Sequence, residues 1–168
     1  MRRLSVLKAI AHFAFIISMI ALIFVIPAYI MLLVMPGTVP FKIDGKIAED
    51  ASAEVLILIF LTIIGLIFFL YALYLFRKVL DLFSKRKFFD DAVIKNFDQI
   101  GKALIIGAAI AAVPAFLYDT INGSGITIDF SFSFDSFLFT VAMGIFFMVL
   151  SEVFLAAKNM KEENDLTV

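Results

Sequence analysis

Four charged or titratable side chains lie in or beside long apolar runs, and they have the most chemistry to offer. Glu152 is a carboxylate within an apolar run, and such a group is a functional-site hypothesis by default. Lys8, His12 and Arg77 lie near the ends of other apolar runs, at a similar expected depth. The sequence therefore predicts a polar cluster of these four residues. It either ties the fourth helix to the first or second by an ion pair or hydrogen bond, or handles a proton or an ion.

The neighbours of this cluster have structural interpretations as well. His12, the only histidine, either anchors the helix at the interface or senses pH. Ser151 is expected to hydrogen-bond back to its own helix.

Composition gives little support to catalysis or metal binding. The chain has no cysteine, which excludes disulfides, thiolate metal sites and cysteine nucleophiles. A membrane enzyme would need a nucleophile–base pair or metal ligands that converge at one depth. We therefore predict a non-enzymatic protein with no cofactor and no metal. The formal net charge of -1 gives no reason to expect direct nucleic-acid binding.

The apolar residues are concentrated in long runs, which is typical of membrane proteins. They make up 63% of the 168 residues, whereas a soluble domain is about half apolar. The pattern predicts an all-α integral membrane protein, a single domain with four transmembrane helices. The predicted spans are residues 9–35, 55–76, 103–118 and 136–157.

The positions of lysine and arginine predict the orientation. Nearly all of the 14 such residues lie in the N-terminal segment, the linker 77–102 and the tail 158–168. The outer loop 36–54 has only two, and the outer loop 119–135 has none. Positive charge favours the cytoplasmic side, so both termini and the linker are expected there. The basic linker could also bind anionic lipid.

Both outer loops contain an alternating apolar pattern, which is typical of strands. It covers residues 39–43 in the first loop and 126–135 in the second, and Asp44-Gly45 is a hairpin-type turn signal. We therefore expect a small extracytoplasmic β-hairpin, or a sheet of two to three strands, built from the two loops.

The linker contains a predicted helix start. Asp90 can cap the first free N–H groups, and Phe89 can pack on Ile94. Apolar residues then recur at helical spacing, so an amphipathic segment is expected to lie in the interface before the chain turns into the bilayer.

The third span carries small residues four apart, at Ala103, Gly107, Ala111 and Ala115. Such a face lets another helix approach closely, either within the chain or, alternatively, in a homodimer.

The linker and tail resemble a known family. The matching residues are Phe88-Phe89-Asp90 after the basic turn, Ile100-Gly101, Glu152-Val153-Phe154, and the tail Glu162-Glu163-Asn164-Asp165-Leu166-Thr167-Val168. With them the chain resembles an uncharacterised bacterial membrane family named domain of unknown function 2975. The resemblance implies four spans with both ends inside, in the bacterial cytoplasmic membrane. Family members are often encoded beside a small helix-turn-helix regulator, which implies a regulatory partner. No residue role is carried over, and the second outer loop is left out of the pattern.

Two functions fit these features. The first is a membrane protein that senses membrane state or binds a cytoplasmic, transcription-regulatory partner through the linker and the tail. The alternative is a small oligomeric transporter or channel that uses Glu152 as its intramembrane polar group. The lipid bilayer is a partner in both.

Overall fold

Four long helices make up most of the protein. The computed structural model describes residues 2–35, 42–43, 46–47, 52–122 and 134–166. The helices are α1 (Arg2–Val34), α2 (Ala53–Ser84), α3 (Asp91–Asn122) and α4 (Phe134–Asp165). Each contains a stretch long and apolar enough to cross a membrane. The chain is therefore a multi-pass membrane protein, as its sequence predicts.

Two short strands lie between α1 and α2, at β1 (Lys42–Ile43) and β2 (Lys46–Ile47), and pair antiparallel. This ladder is local to the first outer loop, so it does not support the predicted sheet built from both loops. Residues 123–133 of the second loop lie outside the described residues. Phe134 and Asp135, expected in a strand, begin α4 instead. A helix satisfies its backbone groups within its own segment, whereas an isolated hairpin is marginal.

Two pairs of glycines set the spacing of α2, α3 and α4. A Cβ atom on Gly65 would lie 2.8 Å from the carbonyl oxygen of Gly107, so α2 and α3 meet backbone to backbone. A Cβ atom on Gly101 would lie 2.5 Å from the carbonyl oxygen of Gly144, so α3 and α4 do the same. Lipid tails are as apolar as leucine, so close van der Waals contact of this kind drives helix association in membranes.

The small-residue face of α3 packs against α2 in the same chain. Ala103 and Ala111 are buried, and Gly107 faces the Cβ atom of Phe68. The part of this face from Ala103 to Ala111 is therefore occupied within the chain.

The most deeply buried side chains lie near the α2–α3 turn (residues 85–90), at the end of the bundle that we call the charged end. Val79 and Val93 are 0% exposed and Ile100 is 2% exposed. Phenylalanines extend this core, and the rings of Phe83 and Phe97 lie 5.8 Å and 5.4 Å from that of Phe154. The end of α2, the start of α3 and the second half of α4 therefore form one packed unit.

The start of α3 confirms the predicted cap but not the predicted path. The backbone N–H of Ala92 donates to Asp90 Oδ1 at 2.9 Å, so Asp90 caps the helix. The ring contact of Phe89 is with Phe154 of α4. No turn separates the amphipathic start from the span, because α3 is one helix. Its apolar residues bury against α2 and α4, rather than lying flat in the interface.

α1 is the least packed helix. Its main contacts are with α2, including a hydrogen bond of 3.2 Å from the Tyr29 hydroxyl to the carbonyl oxygen of Leu56. Among its side chains from Leu4 to Val34, only Ala11 and Leu32 are buried, so most of this surface is left to lipid.

Substituting Gly101 by alanine tests the α3–α4 contact. We expect Gly101→Ala to lower the free energy of unfolding by about 1–3 kcal/mol, because the added methyl meets the Gly144 backbone. Val149→Ala, at an exposed position on α4, is the control and should change little. Denaturant titration in micelles measures both, and equal stability of the two variants would contradict the close contact.

Candidate functional site

Two polar contacts hold α4 against the first turns of α3. The Ser151 hydroxyl donates a hydrogen bond of 2.8 Å to the carbonyl oxygen of Ile94. Lys158 Nζ lies 2.7 Å from Asp91 Oδ1. Ser151 is buried. Its sequence position predicts a hydrogen bond back to its own helix, but the hydroxyl bonds across to α3 instead. It points at α3 because the two helices pack closely there.

Two contacts with charged side chains tie the start of α1 to α2. Lys8 forms an ion pair with Asp81, and the Arg77 guanidinium carbon lies 4.5 Å from the centre of the Phe15 ring. These contacts place Lys8 and Arg77 at the same α1–α2 interface, each with a partner of its own. Asp81, the partner of Lys8, is not among the residues that the sequence predicts for the polar cluster. The signal was a carboxylate one turn beyond Arg77 in the continuing helix, where it could meet a lysine from α1.

The structure does not bring Glu152 into this group. Its side chain is exposed, and within the described part of the chain it has no ion pair or hydrogen bond. Successive helical residues point about 100° apart, so Glu152 faces away from α3 while Ser151 faces it. The Ser151–Ile94 bond also sets its height, level with the first turns of α3. Glu152 therefore belongs to the charged end and not to the middle of the bundle.

His12 lies one turn beyond Lys8 on the exposed surface of α1. Among the residues that the structure covers, it has no hydrogen-bond partner or ion pair. Lys8 pairs with Asp81, and the structure shows no hydrogen bond between the side chains of His12 and Lys8.

The α2–α3 turn presents three basic residues, Lys85, Arg86 and Lys87, all exposed. We call them the basic turn. The N–H of Lys87 donates to the carbonyl oxygen of Leu82, and that of Arg86 donates to the carbonyl oxygen of Phe83, which is the Schellman pattern. Arg86 has φ 60°. This left-handed position normally favours glycine, so an arginine there costs about 1 kcal/mol.

The predicted docking tail is an extension of α4. The helix continues to Asp165, and Leu166 is 87% exposed. Lys161 Nζ lies 6.0 Å from the centre of the Phe89 ring, so this part of α4 passes beside the basic turn. The tail is therefore helical and not frayed up to Asp165. Thr167 and Val168 lie outside the described residues.

A metal centre has no support in the geometry. No group of three or more histidine or carboxylate side chains that could hold an ion occurs in the described ranges.

The comparisons with known proteins give a family and no activity. Residues 39–168 match the family described as "Protein of unknown function (DUF2975)". The match includes the second outer loop, which the sequence analysis left out of the pattern, and it leaves out α1. No curated protein and no solved structure matches the chain.

Two adjacent substitutions separate the roles of Ser151 and Glu152. Ser151→Ala should lower the free energy of unfolding by about 1 kcal/mol, because the hydrogen bond to α3 is lost. Glu152→Gln should leave the stability unchanged, because the carboxylate is exposed and has no polar partner among the described residues. Denaturant titration of both variants measures the difference. A loss of stability in Glu152→Gln equal to that in Ser151→Ala would show that the carboxylate has a structural partner.

Proposed function

Because the chain belongs to the DUF2975 family, whose description names no activity, we propose its function from geometry: a non-enzymatic membrane protein that binds a cytoplasmic protein partner at its charged end. The observation that carries this proposal is Arg86. An exposed arginine occupies a backbone position that favours glycine. Residues held in such strained positions cluster at functional sites, and recognition by a partner gives a reason to keep this side chain.

The surroundings of Arg86 support a protein partner. Phe88 and Phe89 are 42% and 40% exposed beside the basic turn. Aromatic residues and arginine are enriched at protein interfaces and often dominate binding energy. The fold beneath them is rigid, because the turn joins the two helices that share the buried Val79–Val93 core. A preformed surface of this kind loses little entropy on binding.

The end of α4 supplies a second, acidic part of the surface. Glu162 pairs with Lys158 at 3.5 Å on the helix, and Leu166 projects beyond it. The surface thus combines basic, aromatic and acidic elements within one folded unit. The family resemblance implies a small helix-turn-helix regulator as the partner. Sensing of membrane state fits the same arrangement, since α1, which pairs with α2 through Lys8 and Asp81, is mostly exposed to lipid.

The transport alternative gains no support from the position of Glu152. A transported ion needs a polar group that faces a path through the bundle. Glu152 is exposed on α4 at the height of the charged residues, and it faces away from α3.

We place the charged end in the cytoplasm, in a bacterial cytoplasmic membrane. The basic turn, Lys78, Lys95 and the basic N-terminal segment all lie toward this end, and positive charge favours the cytoplasmic side. The same basic residues could attract anionic lipid at the headgroup level.

Partner capture should depend on both the basic turn and the tail. Proteins crosslinked to the full-length chain in native membranes are identified by mass spectrometry. We expect a cytoplasmic protein to be lost when residues 161–168 are deleted and to be reduced by Arg86→Gly. Arg86→Gly should also raise the free energy of unfolding by about 1 kcal/mol, so reduced capture cannot result from misfolding.

Lys78→Gln is the matched control for capture. It removes one exposed basic charge from the charged end, outside the basic turn, and should leave capture unchanged. Capture that survives both the tail deletion and Arg86→Gly would rule out the proposed surface.

Cysteine labelling tests the orientation, because the chain has no native cysteine. In intact cells, a membrane-impermeant maleimide should label Lys46→Cys in β2 but not Lys85→Cys in the turn. After the cells are lysed, both should react. Labelling of Lys85→Cys in intact cells would reverse the proposed topology.

A further inference from the structure

One face of α3 is uncovered from Lys95 to Val113. The opposite faces are occupied by α2 at Gly107 and by α4 at Gly101. Toward the charged end the uncovered face carries side chains of alternating charge, three or four residues apart: Lys95, Asp98 and Lys102. Toward the other end it carries two exposed apolar side chains, Ile106 and Val113. We call this stripe the free face of α3.

The Asp98–Lys102 pair of the free face lies at heights where α4 is apolar. The Ser151–Ile94 bond and the Gly101–Gly144 contact fix the antiparallel register of the two helices. They bound a layer about 10 Å thick, seven residues along each helix.

Within this layer the two helices expose different chemistry. α4 exposes Ile145, Phe146 and Val149, each more than half exposed. α3 exposes the Asp98–Lys102 ion pair, whose side chains are 35% and 58% exposed with the charged atoms 2.7 Å apart. Charged groups at the depth of apolar, lipid-facing residues are costly and normally face protein or water. A polar surface that covers them removes this cost.

We propose that the free face of α3 is the interface of a homodimer, in which Asp98 and Lys102 of one copy pair with Lys102 and Asp98 of a second copy. Two copies in one membrane share the same orientation, so their α3 helices run parallel with equal residues at equal heights. Asp98 then lies one turn from Lys102 of the partner copy, and the alternating charges complement themselves. Ile106 and Val113 of the two copies pack against each other in the lipid layer.

This interface is distinct from the surface for a cytoplasmic partner. It uses α3, whereas the proposed docking surface uses the basic turn and the end of α4. The face also differs from the small-residue face of α3, which α2 occupies.

Disulfide crosslinking in membranes tests the interface, since every cysteine is an introduced one. Val113→Cys on the free face should yield disulfide-linked dimers. Val149→Cys, an equally exposed valine on α4, is the matched control and should stay monomeric. Equal crosslinking at the two positions, or none at Val113→Cys, would overturn the proposal.

Charge variants carrying Val113→Cys test the pairing itself. Like charges meet on the free face when either Lys102→Asp or Asp98→Lys is introduced alone. Each variant should therefore form about tenfold fewer disulfide-linked homodimers than Val113→Cys by itself. Co-expressed with different tags, the two variants should restore the yield as the mixed dimer. Neither variant can form the Asp98–Lys102 pair within its own helix, so the rescue reports pairing between copies. Undiminished homodimers, or no mixed dimer from variants that elute as folded protein, would refute the charge pairing.

Discussion

The contact of the α3 backbone with α2 on one side and α4 on the other is the constraint on which the rest of the structure depends. The Gly65–Gly107 and Gly101–Gly144 approaches leave no room for a side chain, so they fix how far apart the helices lie and which residues share a height. The Ser151–Ile94 bond and the Lys158–Asp91 ion pair follow from the same register. Changing the α3–α4 register by one turn would move both polar contacts out of reach.

The most deeply buried side chains lie at the charged end, because there the alternative to burial is exposure to water. Hydrophobic burial stabilises a fold only where the alternative is water, and lipid offers no such drive between helices. Val79 and Val93 are fully buried beside the α2–α3 turn. In contrast, most apolar side chains of α1 are exposed, and this helix is largely unpacked. The protein is thus held by glycine contacts along its apolar length and by an aliphatic and aromatic core at its polar end.

This division of forces shapes the proposed function. A packed end with an exposed arginine in a left-handed conformation and an extended α4 is suited to presenting a fixed surface. The free face of α3 differs from this packed end, because its charged side chains lie at heights where α4 exposes apolar residues. The two surfaces lie on different parts of the molecule, so one copy can engage a second copy and a cytoplasmic partner together.

The four apolar helices and the Asp90 cap are predictable from the sequence alone. Each depends on local composition or on capping chemistry that acts over a few residues. Tertiary structure alone decided which residues meet. Helix rotation and register, set by backbone contact at glycines, direct Ser151 to α3, turn Glu152 outward and bring Asp81 to Lys8. A sequence pattern gives only an approximate depth for a charged residue. It does not give the direction in which the side chain points, because that direction depends on the partner helix.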